Sequence, residues 1–370
     1  MGQPTTWARP PRNVMERAPP TSPLEGLRTL RGALLVVHST RSRADGRTIA
    51  GVETLVLPKS NDPCWCGSGK KFKRCHKDSG PRDQRLPTVR PGHISAIRAV
   101  PAGIARPDYV GNGGRPGKLN VALIKSPDTI ARMRLACQAA AKVAAAVKAE
   151  ARPGVTTDHL DAVAHQSYID FGGYPSTLGY GGYRKSICTS VNEVICHGIP
   201  DDRPLEDGDI VNIDVTIFLD GVHGDHSVMA CVGAVDESSR RLVDVTREAM
   251  DLGIAAVGPG QPINVVGRAI ETHAHKHGYG VVRAFVGHGI GEGFHMQPNV
   301  PHYFDRNARF TMQPGMTFTV EPMLTMSGKY DYDVWDDDWT AVTHDLSRTA
   351  QWEHTVLVTD TGHEVLTFLD

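Results

Sequence analysis

The sequence predicts an α/β (α+β) chain in two parts: a large domain of two pseudo-symmetric halves with a site between them, and a small zinc-binding module before it. Three observations carry this. A helix, a Pro-Gly pair, a second helix and a terminating glycine occur twice at a fixed offset. Strands of strong alternation follow and separate those copies. Three of the seven cysteines cluster at Cys64, Cys66 and Cys75, while Cys137, Cys188, Cys196 and Cys231 are scattered.

Composition sets the outer limits. Hydrophobic content of 40% and charged content of 22% over 370 residues suit a globular chain with one large domain and something smaller. Aliphatic runs such as Ala33 to Val37 are too short to span a bilayer. Arg9, Arg12 and Arg17 stand among prolines with no apolar stretch and cleavage site after them, so no secretory signal is expected and the compartment is expected to be the cytoplasm. The cysteines are too few and too uneven for a disulfide framework, which favours metal binding for the cluster. The net charge of −1 hides an asymmetry: residues 1–120 hold 21 Lys and Arg against 8 Asp and Glu, and the remainder holds 19 against 33. A basic N-terminal third suits contact with nucleic acid or a ribonucleoprotein, but for residues 1–25 a solvated disordered arm is the preferred reading.

The organisation follows from punctuation. Residues 1–24 are Pro-rich and poor in apolar side chains, hence expected to be disordered. Residues 25–60 have no decisive period. Residues 61–78 carry the cysteine cluster, 79–120 read as an extended Pro/Gly linker laid over another surface, and the main domain is expected over 121–370.

Ser126-Pro127-Asp128 caps an amphipathic helix with Ile130, Met133, Ala136, Ala140 and Val143 at helical spacing, stopped by Pro153-Gly154. A second helix is capped by Thr157 or Asp158 and ends near Gly172. Downstream, a helix from about Val243 to Val257 meets Pro259-Gly260, and the next ends at Gly278. The Pro-Gly glycine precedes the terminating glycine by 18 residues both times, and the copies stand 106 residues apart, which predicts an internal duplication. His273, His275 and His277 occupy the last turn before Gly278, where imidazoles favour the negative end of the helix dipole, and are expected to be structural. Cys137 and Cys231 are expected to be packing residues.

Asp209–Phe218 and Gly221–Gly233 alternate around Asp220-Gly221, a two-residue hairpin signal. In such a hairpin residue 214 faces 227, so Asp214 and Asp225 share a face; on a buried face they require a cation or a proton. Gly287-His288-Gly289-Ile290-Gly291 brings backbone close to something while presenting an imidazole, and His295 follows seven residues later. A dinucleotide loop is rejected there, since no acidic ribose partner stands at the right distance. Glu321 ends one apolar strand (Met316–Val320), and Glu353 stands before another (His354–Val358). Four carboxylates and a histidine at strand ends make an oxygen-rich dinuclear site.

The strings NEVICHGIP (192–200), VNIDVT (211–216), HGDHS (223–227), GHGIGEGFHMQP (287–298), TVEPML (319–324) and QWEHT (351–355) resemble, in order, those of the bacterial type I methionine aminopeptidases. The resemblance covers roughly residues 121–370. It implies the pita-bread fold and hydrolysis of the N-terminal methionine from nascent proteins, with preference for a small second residue. It implies metal ligands at Asp214, Asp225, His288, Glu321 and Glu353, holding two divalent ions of cobalt, manganese, iron or zinc that activate a shared water. Glu321 resembles the proton shuttle, and His197 and His295 the pair that contacts the scissile amide and the developing oxyanion. The methionine pocket maps onto Tyr180, Tyr183, Cys188, Phe294 and Trp339; Thr177 departs from the cysteine of many bacterial members.

PCWCGSGKKFKRCH (63–76) offers Cys64, Cys66, Cys75 and His76 for one structural zinc and resembles the SEC-C motif of the SecA translocation ATPase and of some methionine aminopeptidases. Lys70, Lys71, Lys73, Arg74 and Lys77 surround it, so either ribosome docking or a plain zinc staple explains it. The chain is expected to work as a monomer. Two other readings remain: a ribosome- or RNA-binding protein on a silent pita-bread domain, which the complete ligand set disfavours, and an Xaa-Pro aminopeptidase of the same fold, which Tyr180, Tyr183 and the string through His197 disfavour.

Overall fold

Contacts divide the chain into two units, Pro11–Leu86 and a larger one of Met1–Pro10 with Pro87–Asp370. The computed structural model describes residue 71, residues 88–117 and residues 121–369. The Pro-rich arm, residues 25–60 and the expected zinc ligands Cys64, Cys66, Cys75 and His76 lie outside the described residues.

Local chemistry sets the helices. The Ser126 side chain accepts from the Thr129 amide, Pro127 holds the first helical position, and α1 runs over Pro127–Glu150. Thr156, one residue earlier than the sequence suggested, caps α2 (Thr157–Asp170) by accepting from His159 N. Helix α3 covers Glu237–Ala255 and begins six residues before its apolar period becomes visible, because Asp236 accepts from Ser239 N and starts a polar first turn. Helix α4 covers Asn264–Lys276. Gly154, Gly172, Gly260 and Gly278 all take positive φ, between 71° and 85°.

The strands are β1 (Tyr174–Pro175), β2 (Cys188–Val191), β3 (Val194–Cys196), β4 (Ile210–Leu219), β5 (Val222–Cys231), β6 (Gly280–Val281), β7 (Gly287–Gly289), β8 (Met296–Val300), β9 (Thr317–Val320), β10 (Met323–Thr325), β11 (Tyr332–Val334), β12 (Ala341–Thr343), β13 (Thr349–Gln351), β14 (Glu353–Val358) and β15 (His363–Val365). The main antiparallel sheet has the order β1-β4-β5-β14-β9-β7-β8, with β2 beside β4 and β15 beside β14. Two three-stranded sheets, β13-β10-β6 and β11-β12-β3, complete the domain. The 106-residue offset places β1 against β6 and α1–α2 against α3–α4, so the duplication extends past the helices into the first strand that follows them.

Each helix pair covers one half of the sheet. Strand β4 directs Val211, Ile213, Val215 and Ile217 into a core shared with Met133, Ala136, Ala140 and Val143 of α1. Cys137 lies buried in that core, and Cys231 is half-buried at the end of β5. The alanine-rich face lets the helix sit very close: a Cβ on Gly224 of β5 would fall 2.4 Å from the carbonyl carbon of Ala136. The second core joins Leu242, Val245, Val266 and Ile270 to Phe318, Val320 and Val356. Each such side chain contributes about 1.5–3 kcal/mol when fully buried. Among the described residues, no helix is long and apolar enough to cross a membrane.

Residues 88–117 contain a 3-10 turn (Asp108–Asn112) and otherwise neither helix nor strand. Acids of the domain hold them. Glu193 accepts from Val89 N at 2.8 Å, Asp201 accepts from Gly92 N at 2.6 Å, and Arg98 pairs with Asp158 and Asp161 at 2.9 and 3.0 Å.

Candidate metal centre and substrate pocket

The period of two along β4 that buries Ile213 and Val215 against α1 turns Asn212, Asp214 and Thr216 to the other face. In register, Asp214 faces Ser227 and Thr216 faces Asp225, so the hairpin directs both aspartates to one side. Ser227 in turn faces Glu353 on β14, and His354 faces Val320, the residue before Glu321. Gly289 of β7 faces Phe318 of β9, bringing His288 alongside. Four of five neighbouring strands, β4, β5, β14 and β7, thus present Asp214, Asp225, Glu353 and His288, and the residue that follows β9 presents Glu321, to one concavity, lined also by Cys196, His197, Phe285 and Gln351.

The glycines around His288 now have a reason. A Cβ on Gly287 would fall 2.4 Å from the Thr319 carbonyl oxygen, and one on Gly289 would fall 2.0 Å from that of Gln297. What the loop approaches is protein backbone on both sides, which holds the imidazole fixed.

The donor set is chemically coherent. One ligand atom each of Asp225, His288 and Glu353 lies within 4.8 Å of the others. Nδ1 of His288 is 3.1 Å from the Gly289 carbonyl, so it carries the proton and donates, which leaves the Nε2 lone pair facing Asp225 Oδ2 at 3.7 Å and Glu321 Oε1 at 3.6 Å. Burial, then the charge of Asp225, drives the Asp214 carboxyl far above its ordinary range. Burial also lifts Asp225 to about 7, against the pull of the Thr216 hydroxyl, and raises Glu321 and Glu353, each with added repulsion from Asp225. Burial holds His288 down at about 4, hence neutral. Four acids that crowd one another out of water and one neutral imidazole fit divalent cations, which would remove the mutual repulsion.

Several side chains that the sequence reading passed over hold these groups. Thr216 Oγ1 donates to Asp225 Oδ1 at 2.6 Å, and Thr319 Oγ1 donates to Glu321 Oε1 at 2.7 Å while accepting from His288 N at 3.0 Å. Gln351 Nε2 reaches Glu321 Oε2 at 3.3 Å, and Glu321 N donates to His302 Nε2 at 3.0 Å. Both threonines stand two residues from a ligand on the same strand face, a spacing that alternation alone could have flagged.

Beside the acids lies an apolar cluster. Tyr180, Tyr183, Cys188, Phe294 and Trp339 form one cluster, and a sixth member, Tyr109, comes from residues 88–117. Tyr109 meets Tyr180 edge to face at 4.9 Å and donates from its hydroxyl to the Ser176 carbonyl oxygen. Nothing local in the sequence flags Tyr109, since its partners are all distant in the chain. His295 bridges cluster and acids: its ring lies 4.2 Å from that of His288, and its Nδ1 is 3.1 Å from the Tyr180 hydroxyl. His197 lines the acidic concavity with its ring against Phe285 and Trp339. Burial keeps both imidazoles well below their ordinary range, His197 at about 3. Thr177 is buried, its hydroxyl donating to the Lys185 carbonyl at 2.9 Å.

The description "Metallopeptidase family M24" fits residues 131–360, and "SEC-C motif" fits residues 61–78. The chain is 52% identical to the "Methionine aminopeptidase 2" of Mycobacterium tuberculosis, over 76% of this chain and 98% of that protein. It is 49% identical to the "Methionine aminopeptidase 1D, chloroplastic/mitochondrial" of Arabidopsis thaliana, over 77% and 81%. Among solved structures, the methionine aminopeptidase of Rickettsia prowazekii superposes with a TM-score of 0.65 at 44% identity, covering 66% of this chain and 99% of that one. The prolidase of Pyrococcus furiosus superposes at 0.52 with 21% identity over 67% and 66%, a likeness of fold alone.

Proposed function

Because this chain belongs to metallopeptidase family M24, and within it to the methionine aminopeptidases, we propose that Asp214, Asp225, His288, Glu321 and Glu353 together hold two divalent ions at which N-terminal methionine is hydrolysed from nascent proteins. The enzyme is a methionine aminopeptidase of pita-bread fold. The observation that carries the site assignment is the order of the sheet: four of five neighbouring strands, and the residue just past the end of the fifth, each contribute one donor to one buried concavity. Bound there, manganese, iron, cobalt or zinc would supply Lewis-acid activation, lowering the pKa of a water from ~15.7 toward ~7.

The protein groups then have distinct tasks. Glu321, gripped by Thr319 and Gln351, carries a proton from the attacking water to the departing amine. His295 and His197, kept neutral by burial, donate to the scissile amide and to the oxygen that gains charge. The cluster of Tyr180, Tyr183, Cys188, Phe294 and Trp339 receives an unbranched thioether against aromatic edges, beside the acids. A small second residue is preferred. Release of Met from Met-Ala-Ser, set against release of Ala from an Ala-Pro peptide, tests this reading; efficient cleavage of the proline peptide alone would overturn it.

In this reading the catalytic domain spans 121–370 and the Pro/Gly-rich segment 79–120 connects it to the SEC-C motif. There Cys64, Cys66, Cys75 and His76 bind one structural zinc, and the surrounding lysines bring a monomeric, cytoplasmic enzyme to the ribosome. Deletion of residues 1–80 should abolish cosedimentation with ribosomes; undiminished binding rules docking out.

A further inference from the structure

Away from the acidic concavity, the two helices of the second half bring three metal-binding side chains together. His273 stands on the last turn of α4 and His277 caps its C-terminal end four residues on, and Glu248 reaches them from α3. One ligand atom from each of the three lies within 4.8 Å of the other two. His273 Nε2 is 2.9 Å from Glu248 Oε2, and the two imidazole rings stand 4.7 Å apart.

We infer that Glu248, His273 and His277 form a second, peripheral binding site for one borderline divalent transition ion such as nickel, zinc or cobalt. Two imidazoles at i and i+4 face the same way, and a carboxylate completes the two-histidine, one-acid set that such ions accept, with solvent filling the remaining positions. The site sits at the C-terminal end of α4, whose partial negative charge also favours a cation. An ion there would tie α3 to α4 across the exposed side of their shared core.

Neighbouring charges decide how tight the site is. Arg241 lies 3.1 Å from His277 Nδ1 and 3.7 Å from Glu248 Oε1, so its guanidinium already occupies part of the space a cation would take. Lys276 adds a second positive charge next in sequence. Removing Arg241 should therefore tighten metal binding. If the three residues serve only as a helix-end charge pair, the same change would leave metal binding untouched.

The test is calorimetric titration of Ni²⁺ into the full-length enzyme, kept saturated with Mn²⁺ and with its zinc motif loaded. Wild type should bind one Ni²⁺ that the His273→Ala and His277→Ala variants bind at least about tenfold more weakly. His275→Ala, on the same turn but outside the cluster, should match wild type, and Arg241→Ala should bind several-fold more tightly. The thermal midpoint should rise with Ni²⁺ in wild type and not in His273→Ala. Equal Ni²⁺ binding by wild type, His273→Ala and His277→Ala would overturn the proposal, as would an equal loss in His275→Ala.

Discussion

Nε2 of His288 stands 3.6 Å from Oε1 of Glu321, too far for a good hydrogen bond and close to the separation of two ligands that share one ion at ~2.0–2.2 Å. His288 lies on β7 and Glu321 directly follows the adjacent β9, and Thr319 contacts both, donating to the carboxylate and accepting from the His288 amide. Thr319 thus holds the two groups as a unit.

Asp225 should be the least replaceable member, since it faces His288 and repels three other carboxylates. Asp225→Asn keeps the shape and removes a charge. Loss of a supporting group around a metal typically costs 10–100-fold, so loss of a ligand should exceed ~100-fold in activity at saturating Mn²⁺. Metal content by mass spectrometry should fall in parallel. Near-normal turnover with a full metal complement would contradict the assignment.

Thr319→Val keeps the volume and removes the hydroxyl. Glu321 loses its 2.7 Å donor, so metal affinity should weaken by roughly 10–100-fold, and raising the metal concentration should recover much of the activity. An activation curve superimposable on wild type would show that Thr319 does not orient the carboxylate.

Tyr109 ties residues 88–117 to the pocket wall. Tyr109→Ala empties a fully buried aromatic position, which typically costs about 3–5 kcal/mol, and frees Tyr180 to move. The variant should melt earlier and show a raised KM for methionyl peptides, with discrimination between Met and Leu reduced. Tyr109→Phe, which loses only the bond to the Ser176 carbonyl, should retain selectivity. Unaltered selectivity in Tyr109→Ala would remove the residue from the pocket.

A pH effect on stability follows from the cap of α3. Hydroxyl donors, Ser238 first and then Ser239, hold the Asp236 carboxyl well below its usual range. An acid so depressed adds stability above its unfolded pKa of ~3.9, and that stability is lost as pH falls through the lower folded value. The side chain is 54% exposed, so its pairing with Arg348 is screened and only the cap is counted. Asp236→Ala should cost about 1 kcal/mol at pH 7 in urea unfolding, with a smaller difference at pH 3. A difference that grows on acidification would reverse the sign argued here.

The sequence was most legible where order along the chain translates directly into geometry. The Asp214–Ser227 register follows from a two-residue turn and a period of two, and the offset between Gly154 and Gly260 revealed the halves. Helix starts were less legible: the polar first turn from Asp236 hides the start of α3, and Thr156 rather than Thr157 or Asp158 caps α2. What converges only in space was not legible. Tyr109 joining the aromatic cluster, Gln351 reaching Glu321, and Glu248 meeting two histidines at the end of another helix each depend on packing between elements that no local period records.

The most direct test of the central claim is anomalous diffraction at the manganese edge from crystals of the Mn²⁺-loaded enzyme. Two peaks about 3.5–4 Å apart, within bonding distance of Asp214, Asp225, His288, Glu321 and Glu353, are the expected result. A concavity without anomalous signal in active, metal-loaded crystals, or ions bound only elsewhere, would contradict it.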